Sequence, residues 1–213
     1  MESAVPFFTS KAIHVAVVDP RVGSGRLPII VKCKLAVLVG PDNGVLEPAS
    51  RRLKFEAAYK IGGTQVGIEK ASPTFHGRDI FAKAAALLAA GHMPESLGSA
   101  LSSIVNLELP KPRISGKKLL CVVLHVDSFG NIISNAANAF AKARFRTGER
   151  LAVESRTGSW EARFARTYGD VALGELAVLQ GSQGYLEIAA REDSAGNLTR
   201  LKVLDELKIA VIS

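Results

Sequence analysis

The 213-residue chain is 47% apolar and 22% charged, with a formal net charge of +7, the balance of a folded globular protein. No apolar run approaches the ~20 residues of a membrane helix, and the start, MESAVP, lacks the basic and apolar regions of a signal peptide. The positive charge is scattered, from Arg51 and Arg52 through Lys117 and Lys118 to Lys142, Arg144 and Arg146, with no basic helix face or aromatic interleaving, so neither nucleic acid nor membrane is expected as a partner.

In chain order, residues 12–18 (AIHVAVV) are β-rich and nearly all apolar, which predicts a strand covered on both faces. Pro20, Gly23 and Gly25 then break it, so Asp19 falls at a strand's carboxyl end. Residues 27–33 and 35–39 predict two further strands, followed by the turn GPDNG at 40–44. A buried, mostly parallel sheet is expected, and such sheets place ligands at their carboxyl edges. The clearest helix follows: Ile80, Phe81, Ala84, Leu87 and Leu88 share one face, Asp79 suits the positive end of its dipole, and Gly91 supplies the stop.

A short apolar stretch at 97–107 leads into LPKPRISG (109–116), a Pro/Gly/basic segment that marks a domain boundary. An α/β domain is therefore expected over residues 1–112 and a β domain over 113–213. In the latter, apolar runs at 119–126, 132–134, 150–153, 171–179, 185–190 and 201–212 predict a small antiparallel sheet or barrel, with a short helix near 136–142. Cys33 and Cys121 each lie inside a strand-like run. Two buried, reduced thiols are expected, which points to the cytoplasm.

Four segments could carry chemistry. Residues 19–26 hold an acid and an arginine in one turn; 74–79 (TFHGRD) set a histidine at a helix start beside a glycine; 126–131 (VDSFGN) end a strand in an acid, an aromatic and an amide; 181–185 (GSQGY) form a loop between strands. Each has an ordinary structural explanation as well: a surface turn, a helix cap, a hairpin with Phe129 in the core, a plain connection. Metal chemistry is not expected, because His14, His76, His92 and His125 show no paired ligand spacing and no CxxC or HExxH occurs. GxSxG is absent as well.

Taken together and in order, these segments resemble the S-adenosylmethionine (SAM) hydroxide adenosyltransferases, the SAM hydrolases related to fluorinase and chlorinase. IHVAVVDP with VGS and Arg26 is similar to the family's VHVAVVDPGVGSxR, VGPDNGVL to VGPDNGLL, and TFHGRDIF to the same string. VDSFGNIISN resembles VDxFGNxxTN, and GSQGYLEIA resembles GSxGYLEIA. The resemblance implies hydrolysis of SAM to adenosine and L-methionine by water-derived attack on the ribose C5′, with Asp19, Arg26 and His76 as the catalytic triad. It assigns Asp127 and Ser182 to the methionine ammonium and carboxylate, and Phe129 and Asn131 to the adenine. It implies a homotrimer with sites between subunits, a small-molecule substrate, and neither cofactor nor metal. Because the halogenating relatives lack the histidine of TFHGRD, His76 points to water over halide.

Two departures accompany the resemblance. The family opens on a strand and loop of the type TDFGxxDxYVGxMK, whose early Asp binds the ribose hydroxyls, and nothing like it occurs here. Residues 1–11 align with the segment just before VHVAVVD, so a strand, a helix and a ribose contact are expected to be absent, and a non-catalytic SAM- or adenosine-binding homologue is the alternative reading. Arg21 stands where the family has the first glycine of DPGVG. It strains the loop if that position needs φ > 0, and otherwise adds positive charge near the nucleophile.

Overall fold

A computed structural model describes residues 1–212, which divide into two compact units between Glu108 and Leu109. The first unit is built on a five-stranded sheet of β1 (Ala12–Val15), β2 (Pro28–Cys33), β3 (Ala36–Pro41), β4 (Phe55–Ile61) and β5 (Gly98–Leu101), in the order β1-β3-β2-β4-β5. Helices α1 (Glu47–Arg52) and α2 (Ala82–Ala89) accompany it. One apolar cluster gathers Ile29, Val31, Leu38, Leu46 and Ala49. A second packs Ile30, Val39, Ile80, Phe81 and Ala84 together.

This sheet corrects the expectation of mostly parallel strands. Only β1 and β3 are parallel; the other three pairings are antiparallel. The reason is the connection: Lys34 and Leu35 alone separate β2 from β3, and a link that short closes a hairpin, never a crossover. Strand β1 is also shorter than its sequence suggests. Its last rung is the Ala16 N–H to the Val39 carbonyl at 2.9 Å. The next rung of a parallel ladder needs an N–H from residue 41, which is a proline. Val17 and Val18 therefore leave the sheet and are 53% and 64% exposed, not covered on both faces.

Helix α2 begins as a single π-helical turn, Gly77–Phe81, directly after His76. It ends as its sequence predicts. Gly91, at φ +97°, donates to the Leu88 carbonyl, and His92 donates to Leu87, the paired bonds of a Schellman stop.

The second unit is a closed seven-stranded barrel. Its strands are β7 (Lys118–Val126), β8 (Ile132–Ala137), β9 (Arg150–Ser155), β10 (Gly158–Phe164), β11 (Leu176–Gln180), β12 (Tyr185–Ala190) and β13 (Glu206–Val211). They run β7-β8-β12-β11-β10-β9-β13, and β13 pairs back onto β7. All neighbours are antiparallel except β10 and β11. A short strand, β6 (Arg113–Ser115), adds to β7, and helices α3 (Asn138–Lys142) and α4 (Ala195–Thr199) join the strands. Leu119, Val123, Ile132, Leu151, Val178 and Ile188 fill the interior.

Strand β10 escapes sequence reading because Glu161 and Arg163 interrupt its apolar run. Its period of two is nonetheless intact, with Ala162 and Phe164 buried and Glu161 paired to Arg150 of the neighbouring strand. The expected strand at 171–179 begins only at Leu176, since Gly174 turns the chain at φ +75°. Among the described residues, no helix is long and apolar enough to cross a membrane.

Candidate active site

Past the last rung of β1 the chain makes two successive turns, closed by Val22 N–H to Asp19 O and Ser24 N–H to Arg21 O. They bring Arg26 back onto Asp19. Arg26 Nε donates to Asp19 Oδ1 at 3.0 Å and Nη2 reaches Oδ2, a bidentate fork. Both side chains are only 6% exposed. The same Nη2 lies 2.6 Å from His76 Nδ1, and the guanidinium carbon sits 5.3 Å from the centroid of the buried Phe81 ring. Arg26 Nη1 is buried and has no protein partner.

Two glycines make this convergence possible. Gly23 has φ +78°, and a Cβ there would lie 2.7 Å from the Pro73 carbonyl oxygen. Gly77 presses on Val17, where a Cβ would meet Cγ1 at 2.7 Å. The loop carrying Asp19 and the turn carrying His76 can approach only because both side chains are absent. Arg21 is not among the positive-φ residues, so its replacement of glycine costs no backbone strain. It is exposed on the loop and adds charge there.

The segment before His76 is held from both sides. Asp79 accepts from the Ser72 N–H at 2.8 Å and takes two bonds from Arg78. The Arg78 bonds, and then the Ser72 N–H, hold its carboxyl well below the usual carboxylate range. Arg78 in turn lies 4.6 Å over the Phe75 ring.

In the barrel unit, Asp127, Phe129 and Asn131 come together in one turn after β7. Asp127 Oδ1 accepts from the Phe129 and Asn131 N–H groups, both at 2.9 Å, and Oδ2 accepts from Asn131 Nδ2 at 3.0 Å. Gly130 closes the turn at φ +86° against Ser194. Phe129 is 80% exposed, so the ordinary alternative of a core side chain does not hold. With Asn131, Tyr168 and Ala190 it lines a pocket of ≈ 560 Å³ that Glu192 and Asp193 make acidic. On its other side, Asp127, Ser128 and Phe129 join Ser194, Asn197 and Lys202 around a pocket of ≈ 590 Å³. Ser182 sits exposed in the turn between β11 and β12 and lines neither pocket.

Sequence reasoning missed Tyr168. Its hydroxyl donates to the buried Glu187 at 2.7 Å. That bond, followed by burial, pushes the phenol up to about 12. The available signal was Thr167-Tyr168-Gly169-Asp170, a capping box that fixes an aromatic at the pocket edge. Among the described residues, no cluster of His, Cys, Asp and Glu could hold a metal ion.

Residues 1–98 match the model of the SAM hydroxide adenosyltransferase N-terminal domain, and residues 121–208 that of the C-terminal domain. The chain belongs to this family. It is 36% identical to an (R)-S-adenosyl-L-methionine hydrolase of Salinispora tropica, across 98% of this chain and 78% of that protein. It is 30% identical to one of Methanocaldococcus jannaschii, across 97% and 74%. A fluorinase of Actinoplanes is 30% identical over 72% of this chain and 54% of the enzyme. Among solved structures, an uncharacterized conserved protein of Thermotoga maritima superposes with a TM-score of 0.91 at 34% identity, covering 98% of this chain and 80% of that one. The family's two domain models thus span both the Asp19–Arg26–His76 constellation and the Phe129 pocket.

Proposed function

We propose that this protein hydrolyses SAM to adenosine and L-methionine. The observation that carries the reading is the cluster of Asp19, Arg26 and His76, in which a buried guanidinium holds both partners and keeps one N–H donor, Nη1, unpartnered. SAM hydrolases similar to this chain over nearly its whole length support the same reaction.

In the reaction, water oxygen forms a bond to C5′ as the C5′–S bond breaks. The bond pair moves onto sulfur, the sulfonium becomes the neutral thioether of methionine, and the water proton is released to the protein and then to solvent. Water is a weak nucleophile at saturated carbon, so the site must favour hydroxide and aim it in line. Arg26 supplies fixed positive charge beside Asp19 and His76, which lowers the cost of forming hydroxide there. Asp19 locks the guanidinium plane through the fork. His76 accepts from Arg26 through Nδ1, which sets its tautomer with the proton on Nε2. The Nε2–H donates to the nucleophile oxygen and orients it, while the Asp19 carboxylate takes the departing proton. No cofactor or metal is needed, because the sulfonium already provides the leaving group.

The barrel unit takes the two ends of the substrate. Phe129, exposed beside Tyr168, offers a stacking face for adenine, and Asn131 offers amide hydrogen bonding. Asp127 is assigned to the methionine ammonium and Ser182 to its carboxylate. A homotrimer with sites between subunits belongs to the same reading, supported by apolar side chains left exposed on the barrel unit, among them Phe129, Leu173 and Val203. A cytoplasmic location is supported by the two free, buried cysteines.

Incubation of the purified protein with SAM, followed by chromatography, tests the reaction. Equimolar adenosine and methionine are expected. Adenosine binding without turnover overturns the enzymatic reading in favour of a binding homologue. Sedimentation equilibrium decides the trimer.

A further inference from the structure

The turn at residues 41–44 (PDNG) contributes nothing to the chemistry above, yet it holds both ends of the loop that carries Asp19 and Arg26. At the leading end, Asn43 Nδ2 donates to the Val18 carbonyl at 2.9 Å. At the trailing end, the Asp42 N–H donates to the Leu27 carbonyl at 2.8 Å. Residues 18 and 27 directly flank the span from Asp19 to Arg26. The turn is itself anchored: Asn43 Oδ1 accepts from the Val45 N–H at 3.1 Å, an Asx turn, and Asp42 Oδ1 accepts from the Val105 N–H at 2.7 Å.

The need for such a tether follows from the sheet. Pro41 ends the β1–β3 ladder at Ala16, so the chain from Val17 onward has lost its regular rungs just where Asp19 must be aimed. The Val18 carbonyl belongs to the peptide whose nitrogen is Asp19's own. Fixing that peptide plane fixes the start of the Asp19 side chain, and through the fork the plane of Arg26 and its contact with His76. We infer that Asn43 is a positioning residue for the triad, holding Asp19 through the Val18 carbonyl while its other amide atom shapes the turn. This inference rests on the SAM hydrolase reading for its kinetic consequence, and on geometry alone for its structural one.

Two variants separate the tether from the turn. Asn43→Asp keeps an Oδ1 acceptor for Val45 and removes the donor to Val18. Asn43→Ser is uncharged and keeps a turn-forming hydroxyl that is too short to bridge. Both are expected to lower kcat on the order of tenfold to a hundredfold, the cost of misaligning reacting groups by about 1 Å, with KM for SAM changed less than about threefold. Thermal unfolding midpoints and adenosine affinity are expected to stay at wild-type values. The second readout needs no turnover: in ¹⁵N-histidine NMR, the Nδ1 signal of His76, assigned with His76→Gln, moves in both variants.

A wild-type protein that releases no adenosine sinks the hydrolase reading, and the NMR arm then still decides the tether. Unmoved His76 signals, or kcat unchanged in both variants, overturn the positioning role. A fall in kcat matched by a lowered unfolding midpoint, or a rise in KM alone, overturns it too, in favour of a purely structural turn.

Discussion

Arg26 Nη2 meets His76 Nδ1 at 2.6 Å while the same guanidinium forks onto Asp19. An arginine has only donors, so the histidine nitrogen that faces it must accept. That single contact ties a loop at the end of β1 to the π-helical turn that opens α2. It fixes which ring nitrogen of His76 carries the proton, and it couples three residues into one unit.

Coupled groups are expected to fail together. Arg26→Lys retains charge and loses the planar fork, so kcat for SAM hydrolysis should fall on the order of 10²–10³-fold. His76→Ala should fall by a similar factor, and the double variant should be little worse than either single one. Release of adenosine measured by chromatography checks all three, and additive losses would show that the contact is not functional.

Of the loop's two unusual positions, one should be sensitive to substitution and the other tolerant. Gly23→Ala forces a Cβ onto the Pro73 carbonyl at positive φ and is expected to destabilise by about 1–3 kcal/mol, with loss of turnover. Arg21→Gly, at a position of ordinary φ, should leave the fold unchanged within about 0.5 kcal/mol. Urea denaturation of both variants is the measurement.

Phe129 should matter for ligand and not for the fold. It is 80% exposed, so Phe129→Ala should alter stability by less than about 0.5 kcal/mol. Loss of one stacking face should weaken adenosine binding by about 1–1.5 kcal/mol, roughly tenfold. Calorimetric titration with adenosine reads the second effect, and an unchanged affinity would remove Phe129 from the adenine site.

The thiols predict an alkaline limit to stability. Burial pushes Cys33 up to about 11 and Cys121 up to about 12, against an ordinary value of 9.0. The native state keeps both protons in a range where the unfolded chain gives them up. Stability from this source is complete below pH 9 and declines as pH rises through 9 to about 12. Denaturation midpoints measured from pH 8 to 11 should fall, and Cys121→Ala should flatten the fall. At pH 8 a thiol reagent should label neither cysteine until the protein is unfolded, and rapid native labelling would contradict the burial.

What could be read from the chain alone was local chemistry. Strand-forming runs, the Gly91 stop and the five ordered motifs each depend on residues close in sequence, where side-chain period and turn chemistry act directly. The barrel was legible as a series of short β-rich runs, but β10 was not, because its charged outward face hides an inward period of two. The parallel expectation for the first sheet failed on a matter of connection length, since Lys34 and Leu35 permit only a hairpin.

The same limit applies to the site. Asp19, Arg26 and His76 were named by their motifs, but Arg26 and His76 are 50 residues apart, and no spacing rule brings them within hydrogen-bond distance. Packing does so: Gly77 lets the π-helical turn rest on Val17, and Gly23 lets the loop reach Pro73. Likewise PDNG was legible as a turn, whereas its grip on Val18 and Leu27 appears only once β1 and β3 lie side by side. Residue identity decided which groups could react. Close approach of backbones, which depends on what is absent at a glycine and on the missing N–H of Pro41, decided that they meet.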